Sequence, residues 1–591
     1  MASLSDRPRR APLDLSHHFS RSVKSRQQSS IKDFYKFFAI PGIGNLAGGL
    51  PNQSLFPYDT LEAAVALPQR FTPTPNYPSG SSLPTDPAAT RLLVPKISGK
   101  DDVLRKIDLT TALQYGTAQG YPPLHNFLRD FTRENLNPNV PYAGGPEIIL
   151  TCGNTDGFAK TLETFSNEWS ELRDWKRDRQ GLLVEEFAYM NAIQAAQPRG
   201  LQIVPVGMDG EGMRADGKGG LEDVLSNWDE ENGKRPHIMY TVTLGQNPTS
   251  GTLSVGRRKD LYQICQKYDV VIIEDEPYWY LQYPSAVTSE EARDAGTVHH
   301  TGAVPGVVDE TKKSSGFDFL DSLVPSYLSI DTDGRVVRLD TFSKMVAPGC
   351  RCGWITAQPA VVERILRISE VSTQQPSGFT QSMLAELLIG PSDDTDDGGR
   401  GGDKDGKGWG VEGWVRWLEG LRGEYERRMQ TMCSILEEGR FLMKSTSKDV
   451  EPASGPSEAM THWSVVDKVM MFDFVWPRAG MFVWVELNLS THPLYHKMSK
   501  VKLSHALWLH LTTKPYLVLV APASIFCPTP EVLKTRGPDF FRLCFAAVEE
   551  EEVKSTSHRF VAAFNNFWAK TDVQEMEDNL QVAAEEGCAQ M

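Results

Sequence analysis

The stretch that decides the fold is Leu339-Asp340-Thr341-Phe342-Ser343-Lys344-Met345-Val346-Ala347-Pro348-Gly349-Cys350-Arg351. The run before it, Val336 to Phe342, reads as a buried strand, and the Pro-Gly pair forces a turn, so Lys344 stands at a strand end. Ser343 and Arg351 bracket the lysine with a hydroxyl and a guanidinium, the donors an anionic phosphate needs. An amine placed like this, able to lose its proton out of bulk water, is suited to carry a carbonyl group as an imine.

Working outward, three further stations share the pattern of a strand followed by a functional turn. Glu147 to Cys152 is a strand leading through Gly153-Asn154-Thr155-Asp156-Gly157 into a helical run from Phe158 to Trp169, an arrangement that turns backbone N–H groups and a helix dipole toward an anion. The apolar strand His237 to Thr243 leads to Asn247-Pro248-Thr249-Ser250-Gly251. Val270-Val271-Ile272-Ile273 runs straight into Glu274-Asp275-Glu276-Pro277-Tyr278, and a carboxylate at such a strand end costs stability unless it has a partner. A protonated pyridine nitrogen would be such a partner.

These stations resemble the fold-type I pyridoxal-phosphate enzymes, specifically the class I aminotransferases of the fungal aromatic amino acid, 2-aminoadipate and kynurenine branch. The resemblance rests on Leu46-Ala47-Gly48-Gly49-Leu50-Pro51-Asn52, Leu113-Gln114-Tyr115-Gly116, Gly153-Asn154-Thr155, Phe187-Ala188-Tyr189, Asn247-Pro248, Asp275-Glu276-Pro277-Tyr278, Ser343-Lys344 with Arg351, and Phe541-Arg542-Leu543. It implies pyridoxal 5'-phosphate as cofactor. Lys344 would carry it and act as acid and base, Asp275 would keep its ring nitrogen protonated, and Tyr278 and Asn247 would hydrogen-bond its phenolic oxygen. Tyr189 would stack on the ring. Gly153, Asn154, Thr155, Thr341, Ser343 and Arg351 would hold the phosphate, with Tyr115 reaching in from the second subunit of a homodimer with shared active sites. Arg542 would bind the substrate α-carboxylate, Asn247 would also face the substrate, and Gly49 would let the backbone approach it. No metal is implied. In place of the family's Asn-Pro-Thr-Gly, this chain inserts Ser250 before Gly251, which widens the expected turn.

The reaction implied is a ping-pong transfer of the amino group of an aromatic L-amino acid to a 2-oxo acid such as 2-oxoglutarate. The alternatives weighed beside it are 2-aminoadipate or kynurenine transamination, a pyridoxal-phosphate lyase cleaving a C–S bond at Cβ, and a non-catalytic regulator on the same fold.

The strand and helix alternation between 147 and 358, with strands near 147, 181, 202, 237, 270, 336 and 352, predicts an α/β class: a three-layer large domain with a mostly parallel sheet. The expected organisation is 1–110 as an amino-terminal segment contributing to a smaller α+β domain, 111–390 as the cofactor domain with an insertion at about 285–330, a mobile Gly/Asp-rich loop at 391–410, a smaller domain at 411–570 and an acidic tail at 571–591. Val411 to Met443 reads as one long amphipathic helix with Trp414, Trp417 and Leu421 on a face.

The 591 residues carry a net charge of −15, which argues against a nucleic-acid binder resting on basic patches. The eight cysteines show no metal-like spacing and suit a reducing compartment. No apolar run approaches the ~20 residues of a spanning helix. A cytoplasmic protein is expected, because Asp6 and Asp14 interrupt the Arg- and Ser-rich start that could otherwise be a transit peptide. Gly42-Ile43-Gly44 imitates a dinucleotide fingerprint without a preceding strand, and Cys588-Ala589-Gln590-Met591 a prenylation signal with an acidic approach; both are set aside.

Overall fold

A computed structural model of the chain describes residues 9–28, 37, 40–44, 46, 49–73, 89–284, 313–390, 408–446 and 465–585. The chain divides into two compact units. The first comprises residues 1–247, 251–426 and 478–480, and the second residues 248–250, 427–477 and 481–591.

At the centre of the first unit is a seven-stranded sheet. Its strands in chain order are β1 (Glu147–Thr151), β2 (Gly181–Glu185), β3 (Gln202–Val206), β4 (Ile238–Thr241), β5 (Val271–Asp275), β6 (Val336–Thr341) and β7 (Gly353–Ala357). The spatial order is β1-β7-β6-β5-β4-β2-β3. Pairs β6·β5, β5·β4, β4·β2 and β2·β3 are parallel, while β7 runs antiparallel to both β6 and β1. All seven strands fall where the sequence places them. Every residue of β2, β4, β5, β6 and β7 is buried, as expected of a parallel sheet covered on both faces. The crossovers include α1 (Asn154–Phe165), α2 (Met190–Ala196) and α3 (Val255–Lys267); α4 (Pro359–Ser369) and α5 (Gly378–Leu388) follow β7.

Charge is built into this core. On β6, Arg338 is fully buried and donates Nε and Nη2 to the two carboxylate oxygens of Asp340, at 2.9 and 2.8 Å. Its Nη1 lies 3.7 Å from Glu274 on β5, which also meets Arg258 at 3.3 Å and accepts the Tyr327 N–H at 3.0 Å. The Arg338 guanidinium sits 4.2 Å from the Trp279 ring centroid. Buried ions of this kind persist only when partners compensate the lost hydration.

The second unit holds a four-stranded antiparallel sheet of β8 (Phe472–Phe474), β9 (Phe482–Leu487), β10 (Ala521–Pro522) and β11 (Phe540–Cys544), in the order β8-β9-β11-β10. Helices α7 (Lys500–Thr512) and α8 (Glu550–Trp568) belong to the same unit, and α8 buries Phe560, Phe564, Phe567 and Trp568.

Four expectations need correction. The break between units falls at 426/427, inside the helix α6 (Gly410–Gly439), and residues 1–110 group with the first unit. That helix ends at Gly439, because Phe441–Thr446 pairs as a strand with Val465–Met470. Within the expected surface insertion, 285–312 lies outside the described residues, but Tyr327 and Leu328 are fully buried and belong to the core. The acidic tail expected at 571–591 needs no such correction: it carries the helix Val573–Glu585 with Met576 buried, and Cys588 lies outside the described residues. Of the expected mobile loop at 391–410, residues 391–407 also lie outside them, and Gly410 already opens α6.

Candidate active site

Asp275 is the last residue of β5, and Thr341 the last of its parallel neighbour β6, with Leu339 in register with Asp275. The turns after β1, β2 and β4 carry Gly153, Tyr189 and Asn247. The candidate residues of the first unit therefore gather at the carboxyl ends of parallel strands, where an open α/β sheet leaves a crevice.

The Asp275 carboxylate is buried and doubly held. Tyr240 Oη donates to Oδ2 at 2.8 Å and Asn154 Nδ2 to Oδ1 at 2.6 Å. Burial pushes its pKa up to about 6; the two hydrogen bonds oppose that rise and the nearby Asp340 adds to it. Asn154 thus has a different side-chain partner from the one expected: its amide binds Asp275 and the Leu339 carbonyl, the latter at 3.2 Å.

Around the start of α1 lies a cup of donors. Gly153, at φ 92°, occupies the left-handed region that favours glycine. Arg351 is itself at φ 44° and sends Nη1 to Ser343 Oγ at 3.4 Å and Nη2 to the Cys152 carbonyl at 3.1 Å. Thr341 Oγ1 and Ser343 Oγ are 2.9 Å apart, and the Ser343 N–H donates to Thr341 Oγ1 at 3.1 Å. Thr155 is exposed on the first turn of α1. Asp156 steadies the turn by accepting the Cys152 N–H at 2.9 Å and Lys160 Nζ at 2.8 Å.

Lys344 follows Ser343 and is half-buried. The next residue is pinned: Trp417 Nε1 donates to the Met345 carbonyl at 2.8 Å, and Phe342 on the other side packs against Trp354 and Trp414. The aromatic face read on this helix from sequence therefore also fixes the lysine loop. Tyr189 caps α2 and is half-buried; burial raises its phenol pKa, Asp275 adds to the rise, and the Asn191 amide and the Arg351 charge oppose it. Tyr189 thus feels both the acid and the arginine of the cup. Asn247 and Tyr278 are buried, with 8% and 4% of their surface exposed. Ser250, the inserted residue, is left-handed at φ 58°, and the Gln246 N–H closes the turn on the Gly251 carbonyl at 3.0 Å.

Tyr115 and Gly49 are not drawn into this cluster. Tyr115 is 59% exposed, and a Cβ on Gly49 would meet nothing within 4 Å. Arg542, on β11 of the second unit, has its guanidinium 4.3 Å from the Phe482 ring and 4.6 Å from that of Phe526. Sequence reading missed Tyr240; the signal was a phenol inside a buried apolar strand, which needs a hydrogen-bond partner.

With the geometry in place, comparison with known proteins identifies the class. The family model for class I and II aminotransferases matches residues 103–560, and the chain belongs to that family; it is an enzyme of the transferase class. An aromatic amino acid aminotransferase of Schizosaccharomyces pombe is 33% identical over 559 residues, 94% of this chain and 98% of the relative. An L-tyrosine:2-oxoglutarate aminotransferase of Tapinella panuoides is 32% identical over 486 residues, 82% of this chain and 76% of the relative. Among solved structures, aminotransferase Aro8 from Candida albicans matches with a TM-score of 0.71 at 32% identity, over 95% of this chain and all of that one. The α/β architecture with its mostly parallel sheet is that of the fold-type I aminotransferases. Among the described residues no helix is long and apolar enough to cross a membrane.

Proposed function

We propose that this chain is a pyridoxal 5'-phosphate-dependent transaminase that moves the amino group of an aromatic L-amino acid to a 2-oxo acid such as 2-oxoglutarate. The observation that carries the chemistry is Asp275: a buried carboxylate held by two donors at a strand end, one strand from the loop bearing Lys344. The aromatic preference is supported by the names of the relatives from S. pombe and T. panuoides.

The donor set fits the cofactor. A Cβ on Gly153 would lie 2.4 Å from Arg351 Nη2, so the cup of Gly153, Thr155, Thr341, Ser343 and Arg351 is closed by a residue without a side chain and leaves hydroxyl, guanidinium and backbone donors for a phosphate. When bound, the cofactor supplies an electron sink that lets the substrate Cα proton leave. In that role Asp275 would keep the ring nitrogen protonated, Asn247 and Tyr278 would be the partners of the phenolic oxygen, and Tyr189 would lie against the ring. Lys344 would hold the cofactor through its amine and would serve as the base and acid that moves the substrate Cα proton. Arg542 binds the α-carboxylate through its planar fork, and the two aromatic rings beneath it orient that fork. The exposed phenol of Tyr115 is available to complete the phosphate site of a second protomer in a homodimer. The cytoplasm is the compartment that suits seven described cysteines with no disulfide among the described residues.

The deciding experiment mixes the protein with pyridoxal 5'-phosphate, L-tyrosine and 2-oxoglutarate. Glutamate and the aromatic 2-oxo acid are the expected products. In a parallel incubation with a cysteine conjugate, release of pyruvate and ammonia, with no glutamate formed in the first, would replace this reading by a C–S lyase.

A further inference from the structure

Tyr240 is 99% buried on β4, and the proposed chemistry as stated gives it no task. Its hydroxyl nevertheless ends on Asp275 Oδ2 at 2.8 Å, opposite the Asn154 amide on Oδ1 at 2.6 Å. Two donors on the two oxygens fix the plane of a carboxylate and leave each oxygen a further lone pair. The phenol ring is in turn set by Phe158 of α1, which meets it at 62° with centroids 4.9 Å apart. α1 thus orients both donors, one through the Asn154 side chain and one through ring packing.

We propose that Tyr240 and the side-chain amide of Asn154 are a positioning pair that holds Asp275 in one orientation, as its anion, for the ring nitrogen of the cofactor. The proposal rests on the transaminase reading above. The groups acting on Asp275 are Tyr240 on β4, Asn154 on α1 and Asp340 on β6, and its own charge is felt by Glu185 on β2 and Tyr189 on α2. Among these described residues there is no cation. Burial and Asp340 disfavour the carboxylate, so the two hydrogen bonds are the compensation the protein itself provides. Without one of them the proton shared with the ring nitrogen moves toward the acid, and the ring becomes a weaker electron sink.

The test uses the full-length chain as wild type, Tyr240→Phe and Asn154→Ala, with Asp275→Asn to identify the Asp275 signal. In cofactor-free protein, infrared titration of the buried carboxyl is expected to show Asp275 titrating about one pH unit higher in each variant, a shift of the size one charge-assisted hydrogen bond supports. In cofactor-loaded protein, kcat should fall about tenfold while KM for the amino acid stays within about threefold, because the lost stabilisation belongs to the reacting ring rather than to substrate binding. An unchanged Asp275 titration in Tyr240→Phe, or a loss confined to KM, would overturn the pair. Failure of the wild type to take up pyridoxal 5'-phosphate would instead overturn the transaminase reading, so the two failures are distinct. Asn154→Ala gives the same readout should Tyr240→Phe fail to fold.

Discussion

Gly153 and Arg351 approach so closely that a methyl group on the glycine would stand 2.4 Å from Nη2 of the arginine, on a backbone already at φ 92°. Gly153→Ala must therefore displace the guanidinium and strain the turn, at roughly 1–3 kcal/mol for the positive-φ conformation alone. The expected result is at least tenfold weaker retention of pyridoxal 5'-phosphate in equilibrium dialysis, with a smaller effect on thermal stability.

Lys344→Ala removes the amine from a loop whose position is kept by Trp417 and Phe342. The fold should survive, with an unchanged far-ultraviolet circular dichroism spectrum. Transamination and the visible absorbance of bound cofactor should both be lost. Residual turnover above a cofactor-only control would assign the proton transfer to another group.

Arg542→Lys keeps the positive charge and loses the two-pronged fork. A charge-assisted hydrogen bond contributes about 1.5–3 kcal/mol, so KM for amino donors and oxo acceptors alike should rise about 10- to 100-fold in steady-state kinetics. Normal KM values would move the carboxylate role elsewhere.

Arg338→Met leaves Asp340 and Glu274 in the core without their shared cation. Breaking one side of such a pair costs about 3–5 kcal/mol. Urea denaturation monitored by tryptophan fluorescence should show that loss, and a change under about 1 kcal/mol would mean that the acids take up protons at little cost.

Acid sensitivity should be traceable to His237. Burial, reinforced by the stacked His18, lowers its pKa to about 4, while its hydrogen bond to the Phe165 carbonyl opposes the shift. A base whose pKa is depressed by folding contributes full stability above its unfolded value of about 6.5 and loses it as pH falls toward 4, by at most about 3 kcal/mol. Melting temperature measured across that window should fall more steeply for wild type than for His237→Gln. Parallel curves would assign the slope to other groups.

The sequence by itself determined the sheet and the chemistry-bearing turns. All seven strands of the large sheet announced themselves as apolar runs, and several end beside a residue whose polarity a site explains, as with Asp275 after four apolar residues and Lys344 beyond Thr341. Period and punctuation are local properties of the chain, so they are readable without coordinates. What only the tertiary structure decided are pairings between residues far apart in the chain: Asn154 and Tyr240 on Asp275, Trp417 on the Met345 carbonyl, and Arg258 with Arg338 around Glu274. Nothing in the spacing of those residues encodes their partners, because a buried polar group requires satisfaction without specifying its source. The same reason explains why the segment around Tyr327 read as surface: its core membership comes from Glu274, more than fifty residues earlier, which accepts the Tyr327 N–H.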